Sequence, residues 1–465
     1  MEPIVFKTEN GNCYLYSPAV KELLPIPETT YTDVINNGTS DSSLWMLLSD
    51  AGYLETSQSF LDGVVDPDAI TLALRGLSQI VFEMTTSCNL RCEYCCYGEG
   101  YTTFDTRRRS SGNLSFETAK VVLDYVDNMF DQETTSGSPQ EPFAISFYGG
   151  EPLMNFNVIK EIVEYTDNLR FKNHKVHFTM TTNATMLAKH AEFLKTHNFK
   201  LLISLDGNRM HSAYRKTAMG EESFDLVMSN LKYVKSNYPE WFKTFRFNTV
   251  FTNVSDVAEI VSWFKSTFNK VPNFSPLHSP TEGSKEYGKI CSMLSKFEIP
   301  KELMTDIDIA IQSPRYKTIF ELLNHLFSNT IYKENSIADN RQHRFATGTC
   351  VPFSKRMFVS YTGELHPCEK VNRDIPLGKI ENGQVVIDSN SVAAIFMSKV
   401  NEARTLCEKC YLQECCTKCV LCYNDGKCDS FTTKEAFAKL LSQAFSYIES
   451  NPDVVSILEN NIIIK

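Results

Sequence analysis

Cys88-Asn89-Leu90-Arg91-Cys92-Glu93-Tyr94-Cys95 is the stretch on which the reading of the whole chain turns. Three cysteines spaced CxxxCxxC on one loop can hold three irons of a [4Fe–4S] cube. The fourth iron stays open to a ligand that is not a cysteine. A cluster built only to carry electrons usually closes all four positions, so an open iron points to chemistry at the metal. The run just before it, Ile80 to Thr86, reads as a strand entering that loop. Zinc is the competing metal, because structural zinc sites also use closely spaced cysteines.

Around that loop, strands alternate with helices. Ile80–Met84, Ala144–Tyr148, His177–Thr181, Leu201–Leu205 and Arg246–Phe251 are strand-like; Phe116–Met129, Asn157–Leu169, Leu187–Thr196, Phe224–Ser236 and Val254–Phe268 are helix-like. This order predicts a parallel sheet with right-handed crossovers. Active sites on such sheets lie at the carboxyl ends of the strands. Phe147-Tyr148-Gly149-Gly150-Glu151-Pro152-Leu153 falls at such an end, where two glycines let a ligand approach the backbone and Glu151 can accept from an ammonium. Thr181-Thr182-Asn183 ends the third strand. Asn183 can reach a ligand or cap the next helix. Ser204, Asp206 and Gly207 end the fourth. Ser204 is a candidate ribose contact, and Asp206 can bind a substrate or order its loop. Arg215 is suited to a carboxylate, and His211, four residues before it, reads as structural.

Together these motifs resemble the radical S-adenosylmethionine (SAM) enzymes. The resemblance implies an α/β fold, a partial (β/α)6 TIM barrel over residues 78–280. It implies that the iron left open by Cys88, Cys92 and Cys95 is chelated by SAM. Tyr94 would lie against the adenine. Gly149, Gly150, Glu151 and Pro152 match the family's GGEP motif, which holds the SAM amino group. Asn183 matches a Thr-Asn-Gly turn in which Ala184 replaces glycine. Asp206 and Arg215 lie in the same region.

Eight of the fifteen cysteines lie between Cys350 and Cys422, and Cys428 follows. The pattern Cys350-x12-Gly363-x4-Cys368, then Cys407-x2-Cys410-x5-Cys416-x2-Cys419, Cys422 and Cys428, resembles the SPASM extension, which carries two auxiliary iron–sulfur clusters, expected as [4Fe–4S]. The resemblance implies that Cys407, Cys410, Cys416 and Cys428 ligate the outer cluster, and that Cys350, Cys368 and Cys419 ligate the inner one. The last spacing is one residue short of the usual pattern and Val351 to Pro367 contains no cysteine, so the inner cluster uses Cys422 rather than Cys419 or keeps an open iron. Cys96 and Cys415 read as neighbours of ligands. A zinc ribbon is the alternative, since CxxC pairs are its signature.

Residues 1–77 form a separate small α+β unit, with strands at Pro3–Lys7 and Cys13–Tyr16 around an Asn10-Gly11-Asn12 turn and a helix at Ser43–Ala51. Its outline is winged-helix-like. It serves either to bind a leader peptide along a strand edge or as a cap on the barrel. Residues 281–345 read as a helical bridge, with Tyr316–Phe327 amphipathic. Residues 346–432 are the cysteine-rich domain and 433–465 a C-terminal helix.

A net charge of −10 argues against nucleic acid as partner. The basic run Arg107-Arg108-Arg109 and the polar stretch Asp131–Pro142 read as surface loops. The start of the chain has no signal-peptide pattern, no apolar run is long enough for a membrane span, and fifteen cysteines point to metal chemistry in a cytoplasmic setting. The isolated Cys13 and Cys291 read as small buried apolar residues.

The resemblance carries a mechanism. A donor such as flavodoxin or ferredoxin reduces the cluster, SAM is split to a 5′-deoxyadenosyl radical, and that radical removes a hydrogen from a precursor peptide bearing a leader. The expected outcome is a thioether or other side-chain cross-link. Anaerobic sulfatase maturation, which oxidises Cys or Ser to formylglycine, is the alternative within the family. A non-catalytic iron–sulfur or zinc peptide-binding protein is the alternative outside it.

Overall fold

The computed structural model describes residues 1–57, 63–101, 112–131, 141–172, 174–295, 350–371, 376–413, 416, 418–422, 428 and 430–452, with the single positions 300, 303, 309 and 373. The chain divides into two compact units. The first comprises Met1–Asp66, Thr305–Cys350 and Ala394–Lys465; the second comprises Pro67–Met304 and Val351–Ala393.

The second unit is built on one ten-stranded sheet. Its strands are β4 (Gln79–Thr85), β5 (Glu141–Gly149), β6 (His174–Thr182), β7 (Lys200–Ser204), β8 (Arg246–Phe251), β9 (Asn273–Pro276), β10 (Arg356–Val359), β11 (Glu364–His366), β12 (Gly378–Glu381) and β13 (Gln384–Val386). The spatial order is β13-β12-β11-β10-β4-β5-β6-β7-β8-β9. From β4 to β9 every pairing is parallel. This is the α/β architecture the sequence implied. Five of its six strands were legible; β9 was not, because four residues ending in proline carry too little pattern. The cysteine-flanked hairpin is present as β10 and β11, with Gly363 in the turn at a φ of 86°. β10 adds in parallel to the free side of β4.

Helices at Phe116–Asp131, Phe156–Thr166, Leu187–Thr196, Phe224–Asn237 and Val257–Phe268 follow the strands. The last shows why these segments coil. Val257, Ile260, Val261, Phe264 and Phe268 recur at helical spacing and are all buried. The Asp256 side chain accepts from the Glu259 backbone N–H at 2.8 Å and starts the helix. Phe143, Ile145 and Phe147 of β5 are buried, and Phe143 meets Phe130 of the helix Phe116–Asp131 at 5.2 Å between ring centroids. The opposite face of β5 therefore carries Ala144, Ser146 and Tyr148. That polar face continues into β4 and β6, where Gln79 Nε2 donates to Ser146 Oγ at 2.6 Å and Ser146 and Thr179 share a hydrogen bond of 2.6 Å.

The first unit holds an antiparallel sheet of β1 (Ile4–Lys7), β2 (Cys13–Ser17) and β3 (Glu22–Ile26), in that order. The first two strands and the turn through Gly11, at a φ of 92°, follow the sequence reading. The third was not read, because Pro25 interrupts it; proline is tolerated there because β3 is an edge strand. Cys13, Leu15, Ile26, Trp45 and Leu48 form its core. The helix Lys434–Ser450 packs Phe445 against Phe6 and Tyr14, and Phe437 against Tyr16. Glu449 closes that contact, accepting from Thr8, Asn10, Asn12 and Tyr14 at 2.8–3.0 Å.

The stretch Tyr316–Phe327, the run Arg107–Arg109, most of the loop 131–142 and Cys415 lie outside the described residues. Of the expected helical bridge only Tyr287–Met293 is described as a helix. Among the described residues no helix is long and apolar enough to cross a membrane.

Candidate active site

The cysteine loop leaves β4 at Thr85 and is pinned from two sides. Arg91 N donates to Lys216 O at 2.7 Å and Glu93 N to Tyr214 O at 3.0 Å, which hold it to the segment after β7. Gly150 N donates to Thr85 O at 2.7 Å and Glu151 N to Ser87 O at 2.9 Å, which hold it to the end of β5. The second approach needs both glycines. Gly149 has a φ of 131°, and a Cβ at either position would overlap the carbonyl oxygen of Thr85 or Ser87.

Within the loop, Cys95 N donates to Cys92 O at 3.1 Å and Leu90 N to Cys88 Sγ at 3.4 Å. Burial pushes the Cys88 thiol up to about 11 and the Cys92 thiol up to about 12, and the three cysteines lie within electrostatic reach of one another. Dry, clustered thiols of this kind ionise when cations bind them. The donor set therefore fits a metal cluster. Among the described residues no three His, Cys, Asp or Glu side chains are grouped as ligands of a single metal ion.

Glu151 is buried and held by three protein donors. Its carboxyl group accepts from Thr182 Oγ1 at 2.7 Å, Asn183 N at 2.8 Å and Leu153 N at 3.2 Å. Burial raises its pKa to about 7 against those hydrogen bonds. An arriving cation would favour the ionised form. Pro152 opens the single turn Pro152–Asn155, where its missing N–H costs nothing. Asn155, which sequence reading passed over, ties this turn to Met84 O at 2.8 Å and Leu114 O at 3.0 Å.

Asn183 lies between the two roles offered for it. Its Oδ1 accepts from Thr185 N at 3.0 Å, while its Nδ2 donates to Asn89 Oδ1 at 2.9 Å and to Cys88 Sγ at 3.7 Å. The side chain thus positions the first cysteine. Ala184 sits at a φ of 61° and is buried, in the left-handed region where the family's turn has glycine. That conformation costs an L-residue about 1–2 kcal/mol, and glycine gives back roughly 0.4–1 kcal/mol through the unfolded chain. Ala184→Gly is expected to stabilise the protein by about 0.5–1 kcal/mol, read as a higher urea midpoint with an unchanged slope.

Asp206 and Arg215 meet each other. Arg215 Nε and Nη2 donate to the two Asp206 oxygens at 2.9 and 2.8 Å. Val250 N donates to Asp206 Oδ1 at 2.9 Å, and the Tyr94 hydroxyl donates to Oδ2. The Arg215 guanidinium stands 5.6 Å from the Tyr94 ring centroid. The carboxylate that Arg215 engages is therefore a neighbour's, and Tyr94 is held in the core by its hydroxyl. Ser204, half-buried, ends β7 opposite Asn248. His211 is buried behind Gly207, with Nε2 3.5 Å from a Glu259 oxygen, and burial lowers its pKa.

In the first unit, Cys407, Cys410, Cys416 and Cys428 line one small cavity with Leu406, Gln413, Ser430 and Phe431. Burial pushes the Cys407 thiol up to about 12, and the other three thiols add to the shift. These are the four cysteines grouped by resemblance to the SPASM pattern. Cys350 is exposed and belongs to the first unit with Cys419; Cys368, half-buried, belongs to the second. The side chain of Cys422 lies outside the described residues.

Residues 82–264 match the radical SAM superfamily. The chain carries a radical SAM domain. That superfamily uses a [4Fe–4S] cluster and SAM. The chain is 27% identical over 218 residues to a cysteine-type anaerobic sulfatase-maturating enzyme of Clostridium novyi, covering 46% of this chain and 54% of that one. It thus spans about half the length of that relative. A second cysteine-type anaerobic sulfatase-maturating enzyme, from Clostridium perfringens, is 25% identical over 408 residues, covering 83% of this chain and 99% of that enzyme. Among solved structures, native anSMEcpe with bound AdoMet superposes with a TM-score of 0.54 at 22% identity, over 83% of this chain and all of that one. The chain is thus related through this domain to the anaerobic sulfatase-maturating enzymes, and it shares the fold of the solved one.

Proposed function

We propose that this radical SAM enzyme oxidises a Cys or Ser residue of a polypeptide to formylglycine. The observation that carries the reading is the near-complete coverage, 99%, of a sulfatase-maturating relative. Sequence reading alone placed cross-linking first, on the strength of the N-terminal unit and the auxiliary cysteines; the relatives move formylglycine formation ahead of it. Cross-linking remains a second reading for one reason. The alignment with that relative leaves out about a sixth of this chain, and the first unit offers the edge strand β3, along which a leader peptide can pair by its backbone.

In this proposal Cys88, Cys92 and Cys95 would hold three irons of the cluster and leave the fourth to SAM. The bound pair supplies reductive SAM cleavage and, from it, hydrogen-atom abstraction. The chain's own work is positional. Gly149 and Gly150 bring the end of β5 against the cysteine loop. Glu151 braces that end to Thr182 and Asn183 and offers a carboxylate to the SAM ammonium. Ser204, at the end of β7, would be the contact to the ribose. Cys407, Cys410, Cys416 and Cys428, which line one cavity, would hold an auxiliary cluster. A flavodoxin or ferredoxin delivers the electron.

The test uses the full chain, reconstituted anaerobically with iron and sulfide and given SAM, dithionite and synthetic peptides carrying a central Cys or Ser. The expected product is an aldehyde trapped by a hydrazide, formed together with 5′-deoxyadenosine. A product that has lost a pair of hydrogens, is not trapped and joins two residues on fragmentation would replace this reading with the cross-linking one.

A further inference from the structure

Arg373 is a buried cation whose donors are only partly matched. Its side chain is 8% exposed, and its partner Glu83 is 1% exposed. Nη1 donates to Glu83 Oε1 at 3.0 Å, and the guanidinium lies 3.8 Å from the centroid of the Phe358 ring. Nε and Nη2 are buried and meet no acceptor among the described residues. These two nitrogens form one edge of the guanidinium, with parallel N–H vectors. That edge matches the two oxygens of a carboxylate, which is how arginine binds such groups bidentately. A buried donor without a partner is destabilising. An arginine retained only to pair with Glu83 would gain nothing from leaving this edge bare.

Arg373 stands on the sheet beside the strand that leads into the cysteine loop. Glu83 lies opposite Tyr148 in the β4–β5 ladder, and Val81 lies opposite Ser146. Phe358 lies opposite Val81 on the other side of β4. Glu83, Phe358, Ser146 and Tyr148 therefore share one face of the sheet, the polar one that faces away from the helix Phe116–Asp131. Glu83 is also near the carboxyl end of β4, the strand that delivers Cys88.

We propose that the Nε–Nη2 edge of Arg373 binds a carboxylate carried by the polypeptide substrate, with Glu83 and Phe358 fixing the guanidinium in place. The inference rests on the reading of this chain as an enzyme acting on a polypeptide. Arg373 is then a specificity residue. Glu83 orients it and also sets a limit on affinity, since its own charge opposes a second carboxylate.

The experiment measures retention of short synthetic peptides, paired so that members differ only in Asp against Asn or Glu against Gln, by the reconstituted full chain with SAM. Mass spectrometry reads the ratio of acid to amide. The wild type is expected to favour the acid by at least about tenfold, the ratio that corresponds to ~1.4 kcal/mol. Arg373→Met should bring the ratio near unity, Arg373→Lys should leave a reduced preference, and Glu83→Gln should widen it. Equal retention by the wild type, or a preference that survives Arg373→Met, overturns the site. Should Arg373→Met fail to fold, Glu83→Gln decides, because a ratio that stays level or narrows contradicts the opposing-charge argument. Formation of 5′-deoxyadenosine by the wild type is read in parallel. A wild type that cleaves SAM but ignores the carboxylate loses only this inference, whereas one that never cleaves SAM loses the proposed function.

Discussion

Replacing Cys88, Cys92 and Cys95 together by alanine is expected to reduce SAM cleavage to background while iron remains bound elsewhere in the chain. The expectation follows from how the two cysteine groups are housed. The first three share a single loop of the second unit, held between Gly150–Glu151 and Tyr214–Lys216 by backbone hydrogen bonds that none of their side chains makes. Cys407, Cys410, Cys416 and Cys428 surround a cavity in the first unit. Removing three thiols deletes ligands and the two weak donations to Cys88 Sγ, from Leu90 N and Asn183 Nδ2, but leaves the backbone bonds that pin the loop in place. The variant should therefore keep its fold, retain the iron and sulfide of the other sites, and yield no 5′-deoxyadenosine after reduction. Two results would contradict the assignment. SAM cleavage that persists would mean that the open iron lies elsewhere. Zinc without acid-labile sulfide in the wild type would mean that the chain is a structural metal protein, the class in which closely spaced cysteines are also common.

The parts of this site that could be read from sequence are those fixed by short spacing. CxxxCxxC and Gly149-Gly150-Glu151-Pro152 are local, and each marks the end of a strand whose apolar pattern is visible nearby. Ala184 is instructive, since its mismatch to a glycine motif was visible in sequence and its positive φ shows what that glycine would relieve. The contacts that make the motifs work were not legible. Asp206 and Arg215 are nine residues apart, and Tyr94 is a further 112 positions from Asp206; no periodicity links the three. Asn89 and Asn155 carry bonds that could be drawn only once β4, β5 and β6 were side by side. Arg373 had no motif at all, and its meaning depends on Glu83, 290 residues away. Short or interrupted strands were lost for a different reason: β3 contains Pro25, and β9 is too brief to show alternation.

Asp206→Ala is expected to be the most destabilising single substitution in the barrel, at roughly 3–5 kcal/mol. The side chain of Asp206 is 0% exposed and that of Arg215 is 8% exposed. Water cannot replace a lost partner there, so the substitution leaves a buried guanidinium uncompensated and a buried tyrosine hydroxyl and the Val250 N–H without their acceptor. Arg215→Met should cost less, because the remaining carboxylate still accepts from Tyr94 and Val250. The double variant should be more stable than the sum of the two losses implies, since it removes the stranded charge along with its partner. Urea unfolding of the single variants and the pair measures this coupling; strict additivity would show that the two groups do not act as a unit. The consequence reaches the cluster loop. Tyr94 stands between Glu93 and Cys95, so releasing its hydroxyl loosens the loop at the third cysteine. Asp206→Asn keeps an oxygen acceptor for that hydroxyl and should retain more cluster iron than Asp206→Ala at equal unfolded fraction. Equal iron loss in the two variants would mean that Tyr94 does not depend on this carboxylate for its place.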